Sequence, residues 1–223
     1  MRSINTKYDF IKQLITQEQL DILSCQETWQ CLRNDPSLQA ATPIGYEFVD
    51  AVRADQPGYG GVCIFFKSIF QSRQLELPTL SSFEAVAVQL CDTRTCVIVI
   101  NIYRPPSEDV EDFLTEFNQL LCDLSRTFLC PVIIAGDINI HLEKPNKLTP
   151  ARLIKLLYIH RLYQNIKLCT HFRGGILDVV ITDEKGIVTD IKLQEVPHQD
   201  VSDHDVIMFS YKVQVKRKKQ VRS

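Results

Sequence analysis

Residues 131–141 read Pro-Val-Ile-Ile-Ala-Gly-Asp-Ile-Asn-Ile-His. The run 131–135 is continuously apolar, which is typical of a strand covered on both faces. Asp137 and Asn139 follow one residue apart, so their side chains lie on the same side if the chain stays extended. Together they suit a site that orients a water and holds a phosphate. A turn closed by Asp or Asn side chains would also explain them, but the pattern favours function.

Two further apolar runs end in polar residues. Residues 21–25 lead to Glu27, a carboxylate of the kind that binds Mg²⁺. Residues 95–103 lead to Tyr103 and Arg104, where a phenol can donate to phosphate and a guanidinium can neutralise it. Structural explanations are available for each, namely an exposed loop acid and an aromatic residue packed before a proline turn.

The last polar segments contain an acid and a histidine. Asp178 lies at the start of an apolar run, where a carboxylate is costly unless it is paired. Asp203, His204 and Asp205 precede the apolar residues 206–209. A carboxylate fixes the tautomer and charge of an imidazole, and a cationic imidazole stabilises charge on a phosphoryl oxygen. His204 or a metal-bound water is therefore the expected partner of Asp178, although an edge-strand acid and a solvated histidine are the structural alternatives.

Composition indicates an ordinary globular domain. The chain has 223 residues, of which 45% are hydrophobic and 23% charged, which is enough for one large domain with a core. The net charge of −2 excludes a general binder of polyanions. We expect a domain over 1–213 and a basic tail over 214–223. Such a tail suits phosphate backbones or a nuclear import receptor, or is simply solvated.

Cysteine usage and hydropathy predict the compartment. The eight cysteines include no C-x-x-C pair, and most lie in or beside apolar runs, where cysteine behaves as a small hydrophobic residue. We therefore expect reduced thiols and an intracellular, nuclear protein. No signal peptide is apparent, and no apolar run approaches the roughly 20 residues that a membrane span needs, so no membrane partner is expected.

Apolar patterns place the elements of an α/β fold. The predicted strands are 21–25, 61–66, 84–90, 95–103, 132–135, 177–181 and 206–213. Three helices are predicted, over 7–17, from an N-cap at Ser107 to about 124, and from a cap at Thr149 followed by Pro150 to 159. Loops are expected at 36–58 and 183–200. Many strands with few helices favour two packed sheets with helices outside.

The ordered motifs resemble a known family. They are Q-E-T-W at 26–29, I-Y-R-P-P at 102–106, G-D-I-N at 136–139, T-H-x-x-G-x-x-L-D at 170–178 and S-D-H at 202–204. In this order they resemble the endonuclease/exonuclease/phosphatase superfamily, and more narrowly the apurinic-like endonuclease domain of non-LTR (LINE/jockey-type) retrotransposons. The resemblance implies a DNase I-like, four-layer α/β/β/α sandwich whose site lies at one edge of the two sheets.

The resemblance also implies a metal and a phosphate contact. Glu27 matches the metal-binding acid, and Asp203 matches an acid that helps to bind the metal. Tyr103 matches the tyrosine that contacts phosphate. The implied cofactor is Mg²⁺, with Mn²⁺ as an alternative, because carboxylate and amide ligands suit these ions better than zinc.

The remaining matches imply the chemistry. Asp137 resembles the acid that positions or deprotonates the attacking water, and Asn139 the amide that holds phosphate and Asp137. Asp178 resembles the partner of the catalytic histidine, His204. Thr170 matches a polar position in a loop that faces DNA. The implied reaction is in-line hydrolysis that nicks DNA and leaves a 3′-hydroxyl.

Two departures from the family pattern keep other functions open. The family begins with a strand ending in Asn, shortly before an element like Arg2-Ser3-Ile4, and here that strand is absent. No reverse transcriptase follows either. We therefore expect reduced activity. The alternatives are a degenerate domain that binds nucleic acid or protein, and a phosphatase acting on small phosphoesters.

Overall fold

The computed structural model describes residues 3–4, 6–127, 130–196 and 202–213. Within these residues the chain forms four helices and eleven strands. In chain order they are α1 (Tyr8–Gln17), β1 (Ile22–Gln26), α2 (Pro36–Ala41), β2 (Tyr46–Ala51), β3 (Val62–Lys67), β4 (Gln71–Leu75), β5 (Glu84–Cys91), β6 (Cys96–Tyr103), α3 (Val110–Thr127), β7 (Val132–Asp137), α4 (Leu148–Ile159), β8 (Tyr163–Gln164), β9 (Asp178–Thr182), β10 (Val188–Gln194) and β11 (Val206–Tyr211).

The predicted elements are present, and the structure adds five more. All seven predicted strands and three predicted helices occur, with strand ends shifted by no more than two residues. The additional elements are α2, β2, β4, β8 and β10. The segment expected as a loop over 36–58 therefore contains a helix and a strand, and the one over 183–200 contains β10. Residues 197–200 lie outside the described residues.

A six-stranded sheet forms the centre of the molecule, in the order β4-β5-β6-β7-β9-β8. β6 and β7 run parallel, whereas the other neighbours are antiparallel. The central strands are nearly continuous Val/Ile sequences because both of their faces are covered.

Apolar clusters on successive faces establish four layers. One cluster packs α3 and α4 against the six-stranded sheet through residues such as Phe117 and Ile100. A second lies between that sheet and β3, and includes Val88 and Ile64. The third packs α1 and α2 against the other face of β3. The α/β/β/α arrangement is therefore confirmed.

The expected second sheet is divided into two. Among the described residues, one part has the order β1-β3-β2 and the other is the β10-β11 hairpin. The prediction of two packed sheets is thus incomplete, since two separate sheets cover one face of the six-stranded sheet.

Two helix starts differ from the prediction. The α3 helix is capped by Asp109 rather than Ser107, because the Asp109 carboxylate accepts hydrogen bonds from the backbone N–H groups of Glu111 and Asp112 at 2.7 and 3.1 Å. The cap of α4 is Lys147, with no side-chain hydrogen bond, and not Thr149.

The cysteines also depart from the expectation of reduced thiols. Cys91 and Cys96 are cross-strand partners in the β5-β6 hairpin and form a disulfide. The hairpin register brings their Cα atoms to 4.0 Å, which the sequence pattern did not indicate. The other six cysteines are free thiols. None of the described helices is both long and apolar enough to cross a lipid bilayer.

Candidate active site

The end of β7 carries the first two site residues. Gly136 adopts a φ of 146°, and a Cβ there would lie 1.9 Å from the carbonyl oxygen of Ile102, so this position requires glycine. The close approach brings β7 against β6, where Asp137 is the register partner of Tyr103. Asn139 follows with a positive φ of 50°. Backbone conformations of this kind concentrate at functional sites.

Asn139 holds the Asp137 carboxylate with two hydrogen bonds. Its backbone N–H donates to Oδ1 at 2.9 Å, and its side-chain Nδ2 donates to Oδ2 at 3.1 Å. The same Nδ2 donates to the carbonyl of Arg104 at 2.9 Å. The Asp137 carboxylate is therefore fixed in orientation, and it is 8% exposed.

His204 lies between two carboxylates. Its Nδ1 is 2.8 Å from Oδ2 of Asp178, and its Nε2 is 3.7 Å from Oδ2 of Asp137. Burial disfavours the charged imidazole. The hydrogen bond and charge of Asp178, together with the charge of Asp137, outweigh that effect and raise the pKa of His204 to about 9.

The surroundings of Asp137 disfavour the charged form of its carboxyl group. Burial, and then the charge of Asp178, raise the pKa of the Asp137 carboxyl to about 7, although His204 and the Asn139 N–H act against the rise. The His204 imidazole thus lies between two carboxylates in the row Asp178–His204–Asp137.

Glu27 and Tyr103 form a second contact in the same region. Glu27 follows β1 with a φ of 53°, and its carbonyl accepts the N–H of Ser3 at 2.9 Å. The Tyr103 hydroxyl donates to Oε1 of Glu27. Burial, and then this carboxylate, raise the pKa of Tyr103 well above its ordinary value, so the phenol stays protonated.

One cavity of about 580 Å³ connects these contacts. Its polar lining includes side chains from five separate segments of the chain. They are Glu27, Tyr103, Asp137, Asn139, His171, Asp178, Asp203 and His204.

His171 was not among the residues predicted for the site. It forms an isolated β-bridge with His204, and the two ring centroids are 4.9 Å apart. Its Nε2 lies 3.7 Å from Oδ2 of Asp203. Burial and the nearby charge of His204 lower the pKa of His171. The only sequence signal was its place in the T-H-x-x-G motif, and nothing in that motif indicated Asp203 as its neighbour.

Arg104 occupies a different place from the one predicted. Its side chain is 2% exposed, and its three nitrogens donate to backbone carbonyls, including those of Ile138 at 2.7 Å, Asn139 at 2.8 Å and Glu108 at 2.6 Å. The guanidinium therefore supports the loops beyond β6 and β7, and does not line the cavity.

Thr170 is also internal. It is fully buried, and its Oγ1 accepts hydrogen bonds from the N–H groups of Leu177 and Asp178, both at 3.3 Å. Its carbonyl accepts the N–H of Asp205 at 2.9 Å. Thr170 thus joins the segments that carry Asp178 and His204, and does not face the cavity.

The acids of the cavity fit a divalent cation. Ligand atoms of Asp137, Asp178 and His204 lie within 4.8 Å of one another, as do those of His171, Asp203 and His204. Glu27 lines the same cavity but belongs to neither group. Carboxylate oxygens are the ligands that hard divalent cations prefer, and Glu27, Asp137, Asp178 and Asp203 all bring carboxylates to this cavity.

Comparisons with known proteins agree with this fold. A model of the endonuclease/exonuclease/phosphatase family matches residues 2–204. The structure resembles the endonuclease domain of TRAS1, a telomere-specific non-LTR retrotransposon, with a TM-score of 0.69, 14% identity, and coverage of 96% of this chain and 94% of that one. It also resembles the AP endonuclease LMAP from Leishmania major, with a TM-score of 0.71, 16% identity, and coverage of 93% and 82%.

A third similar structure is that of a phosphatase. It is the 3′ phosphatase NExo from Neisseria bound to a product DNA hairpin, with a TM-score of 0.71, 16% identity, and coverage of 95% of this chain and 96% of that one. At these identities the likeness shows the fold alone. No curated protein matches the sequence. The match over most of its length shows that the chain belongs to the endonuclease/exonuclease/phosphatase family.

Proposed function

We propose that the protein is a Mg²⁺-dependent endonuclease that nicks DNA by hydrolysing a phosphodiester bond. The observation that supports this most strongly is the row Asp178–His204–Asp137, whose contacts of 2.8 and 3.7 Å face the same cavity as Glu27. Family membership supports hydrolysis of a phosphate ester, and the combination of base, cation and acids supports attack by water.

His204 supplies positive charge to the phosphoryl group. Asp178 accepts a hydrogen bond from Nδ1, which fixes the ring and leaves Nε2 facing the cavity and Asp137. With a pKa of about 9 the imidazole carries a proton at neutral pH. A fixed cation in a buried site stabilises negative charge that develops on a phosphoryl oxygen.

Asp137 accepts the proton of the attacking water. A pKa of about 7 makes this carboxylate a stronger base than an ordinary aspartate while half of it remains ionised at neutral pH. The water oxygen forms a bond to phosphorus, its proton moves to Asp137, and the bond to the 3′-oxygen breaks. The released 3′-oxygen takes a proton from solvent water to become the 3′-hydroxyl. Asn139 holds both carboxylate oxygens in place during the transfer.

Glu27 and Asp203 are the residues that we propose for the metal. When bound, Mg²⁺ or Mn²⁺ would neutralise charge on the phosphate. The Tyr103 hydroxyl fixes the orientation of Glu27, and its proton is retained because its pKa is raised. In this proposal Arg104 and Thr170 act indirectly, by positioning Asn139 and Asp178.

DNA as the substrate class is the finer part of the proposal. It is supported by the motif resemblance and by the nucleases among the similar structures. A DNA substrate also motivates a nuclear location, together with the basic residues 214–223, which lie outside the described residues.

The decisive experiment is nicking of supercoiled plasmid. We expect Mg²⁺ to support conversion to the open-circular form, EDTA to abolish it, and Asp137→Ala to lower the rate by about 10³-fold, within the range for loss of a general base. Asp112→Asn, an exposed acid on α3, serves as the matched control. Absence of nicking by a folded protein would contradict the proposal and favour a domain that only binds nucleic acid.

A phosphatase is the second candidate, because one of the similar structures is a 3′ phosphatase. A parallel assay with a small aryl phosphate and with a 3′-phosphorylated oligonucleotide separates the two activities. Release of phosphate without plasmid nicking would replace the endonuclease by a phosphatase.

A further inference from the structure

The ring of His171 is held by the turn that follows it. The N–H of His171 donates to the carbonyl of Gly175 at 3.1 Å, and the N–H of Gly174 donates back to the carbonyl of His171 at 2.8 Å. The N–H of Arg173 donates to Nδ1 of the imidazole at 3.1 Å. The backbone and the ring orientation of His171 are therefore both set by its own turn, residues 171–175.

The hydrogen bond from Arg173 also decides the tautomer of this ring. Because Nδ1 accepts from a backbone N–H, it offers a lone pair, and the ring proton is on Nε2. Nε2 lies 3.7 Å from Oδ2 of Asp203. Hydrogen bonds in enzyme sites often have such lengths before the substrate binds and shorten in the complex. His171 therefore presents a donor to the Asp203 carboxylate.

The same tautomer argues against His171 as a metal ligand. The ligand atoms of His171, Asp203 and His204 are close enough together to surround one cation. A cation on Nε2 of His171 would move the ring proton to Nδ1, where it would meet the N–H of Arg173. Two donors would then face each other, and a hydrogen bond would be lost. The ring thus suits donation to the carboxylate and not coordination of the cation.

Main-chain pairing keeps His171 beside the residues that it contacts. His171 and His204 form an antiparallel bridge, and the N–H of Phe172 donates to the carbonyl of Asp203 at 3.1 Å. The His171 and His204 rings meet edge to face, with their centroids 4.9 Å apart. His171 therefore has two separate contacts, one through Nε2 with a carboxylate and one through its ring with an imidazole.

We propose that His171 is a positioning residue whose Nε2–H binds one oxygen of Asp203 and turns the other oxygen toward the cation. This role rests on the proposed function, in which Asp203 and Glu27 bind the metal. Hydrogen-bond partners of metal-binding side chains typically change metal affinity by about 10- to 100-fold. The ring has a different effect, since its packing against His204 limits the rotation of that imidazole.

Two variants of His171 separate the donor from the ring. His171→Phe keeps an aromatic ring against His204 but has no donor for Asp203. His171→Gln keeps an N–H donor that can reach Asp203 but has no ring. His160→Phe, at the C-cap of α4, is the matched control, because His160 does not line the cavity.

The readout is direct binding of Mn²⁺ to the full chain, measured from the electron paramagnetic resonance signal of the free ion. We expect His171→Phe to raise the Kd for Mn²⁺ about tenfold, and His171→Gln to raise it by less than about threefold. At saturating Mn²⁺ the order reverses for plasmid nicking. His171→Phe should stay within about threefold of the unmodified protein, whereas His171→Gln should be slower because His204 loses its packing partner.

The proposal fails if His171→Phe binds Mn²⁺ as tightly as the unmodified protein or the His160→Phe control. It also fails if His171→Gln loses as much affinity as His171→Phe, because equal losses would make the imidazole itself a ligand. An unchanged Kd with metal-dependent nicking intact would remove His171 and leave the proposed function standing. A raised Kd in His171→Phe without nicking by the unmodified protein would support the positioning role and contradict the proposed function.

Discussion

The six-stranded sheet and the layer that covers it hold their site residues in different ways. In the first, β6 and β7 are each paired on both sides, and Asp137 and Asn139 lie at the end of β7. In the second, Glu27 follows β1 and His204 precedes β11, and both strands are edges among the described residues. The site is thus built from one closed region and one divided region.

The two regions contribute different residues to the site. Asp137, the proposed base, and Asn139 belong to the closed region, while Glu27, the proposed metal ligand, and His204 belong to the divided one. The Asp178–His204 hydrogen bond crosses from one region to the other. Perturbing each region in turn therefore tests whether the division matters to stability and to catalysis.

Gly136→Ala tests the closed region most severely. The added Cβ would meet the Ile102 carbonyl at 1.9 Å, at a backbone φ of 146°, so we expect a loss of more than about 4 kcal/mol in the free energy of unfolding. Urea denaturation measures it. Gly174→Ala, with a positive φ but no atom within 4 Å, should cost only about 1 kcal/mol. Equal losses for the two variants would show that the strand contact is not what matters.

His204→Ala tests the catalytic contribution of the divided region. We expect a fall in the rate of plasmid nicking of about 10³-fold, equivalent to about 4 kcal/mol, with the far-UV circular dichroism unchanged. His160→Ala, at a partly exposed histidine that is the C-cap of α4, is the control. Near-normal turnover by the His204 variant would remove this residue from the mechanism.

Stability should depend on pH through the contact between the two regions. The pKa of His204 rises from 6.5 to about 9 on folding, so its contribution is fully present below pH 6.5 and is lost as the pH rises through 9. The raised pKa of Asp137 acts in the same direction, but its loss is complete near pH 7. In EDTA we expect the free energy of unfolding to fall by about 3 kcal/mol between pH 6.5 and 9.5.

The matched variant for the pH measurement is His204→Gln, which retains a polar side chain but does not titrate. Its unfolding curve should be flat between pH 7.5 and 9.5. An equally steep decline in the variant would assign the pH dependence to another group.

Asn101→Ala should give the smallest effect of this series. Asn101 is fully buried on β6, and its Nδ2 donates to the carbonyls of Cys25 and Cys63 at 2.8 and 2.9 Å, which ties the closed region to β1 and β3. We expect a loss of about 2 kcal/mol in urea denaturation. Asn118→Ala, an exposed residue of α3, should change the value by less than about 0.5 kcal/mol. Similar losses would show that this tie contributes nothing.

Patterns within short stretches of the sequence allowed much of the fold to be predicted. Val/Ile runs identify β6 and β7 because strands buried on both faces have no polar interruption. The polar residues that directly follow such runs, Asp137 and Asn139, were visible for the same reason. The missed strand β2 carries Glu47 and Asp50, and the missed strand β10 carries Asp190 and Lys192. Charged residues therefore interrupt both strands, and neither stands out from a loop.

Features that depend on distant parts of the chain were not predictable. The carbonyls that surround Arg104 come partly from residues 138 and 139, and the proximity of His171 to Asp203 depends on a loop that returns to β11. The Cys91–Cys96 bond depends on the exact register of a hairpin. The division of the second layer into two sheets likewise depends on which distant strands pair with each other. No local sequence pattern predicts it.

The buried guanidinium of Arg104 has a consequence for the interpretation of enzyme kinetics. Arg104 donates to the carbonyl of Asn139, and Asn139 donates back to the carbonyl of Arg104. Replacement by lysine keeps the charge but loses this forked geometry, so Asn139 would shift relative to Asp137. A kinetic screen of this variant would then record a raised KM together with a reduced kcat. Arg104 would be mistaken for a direct substrate ligand.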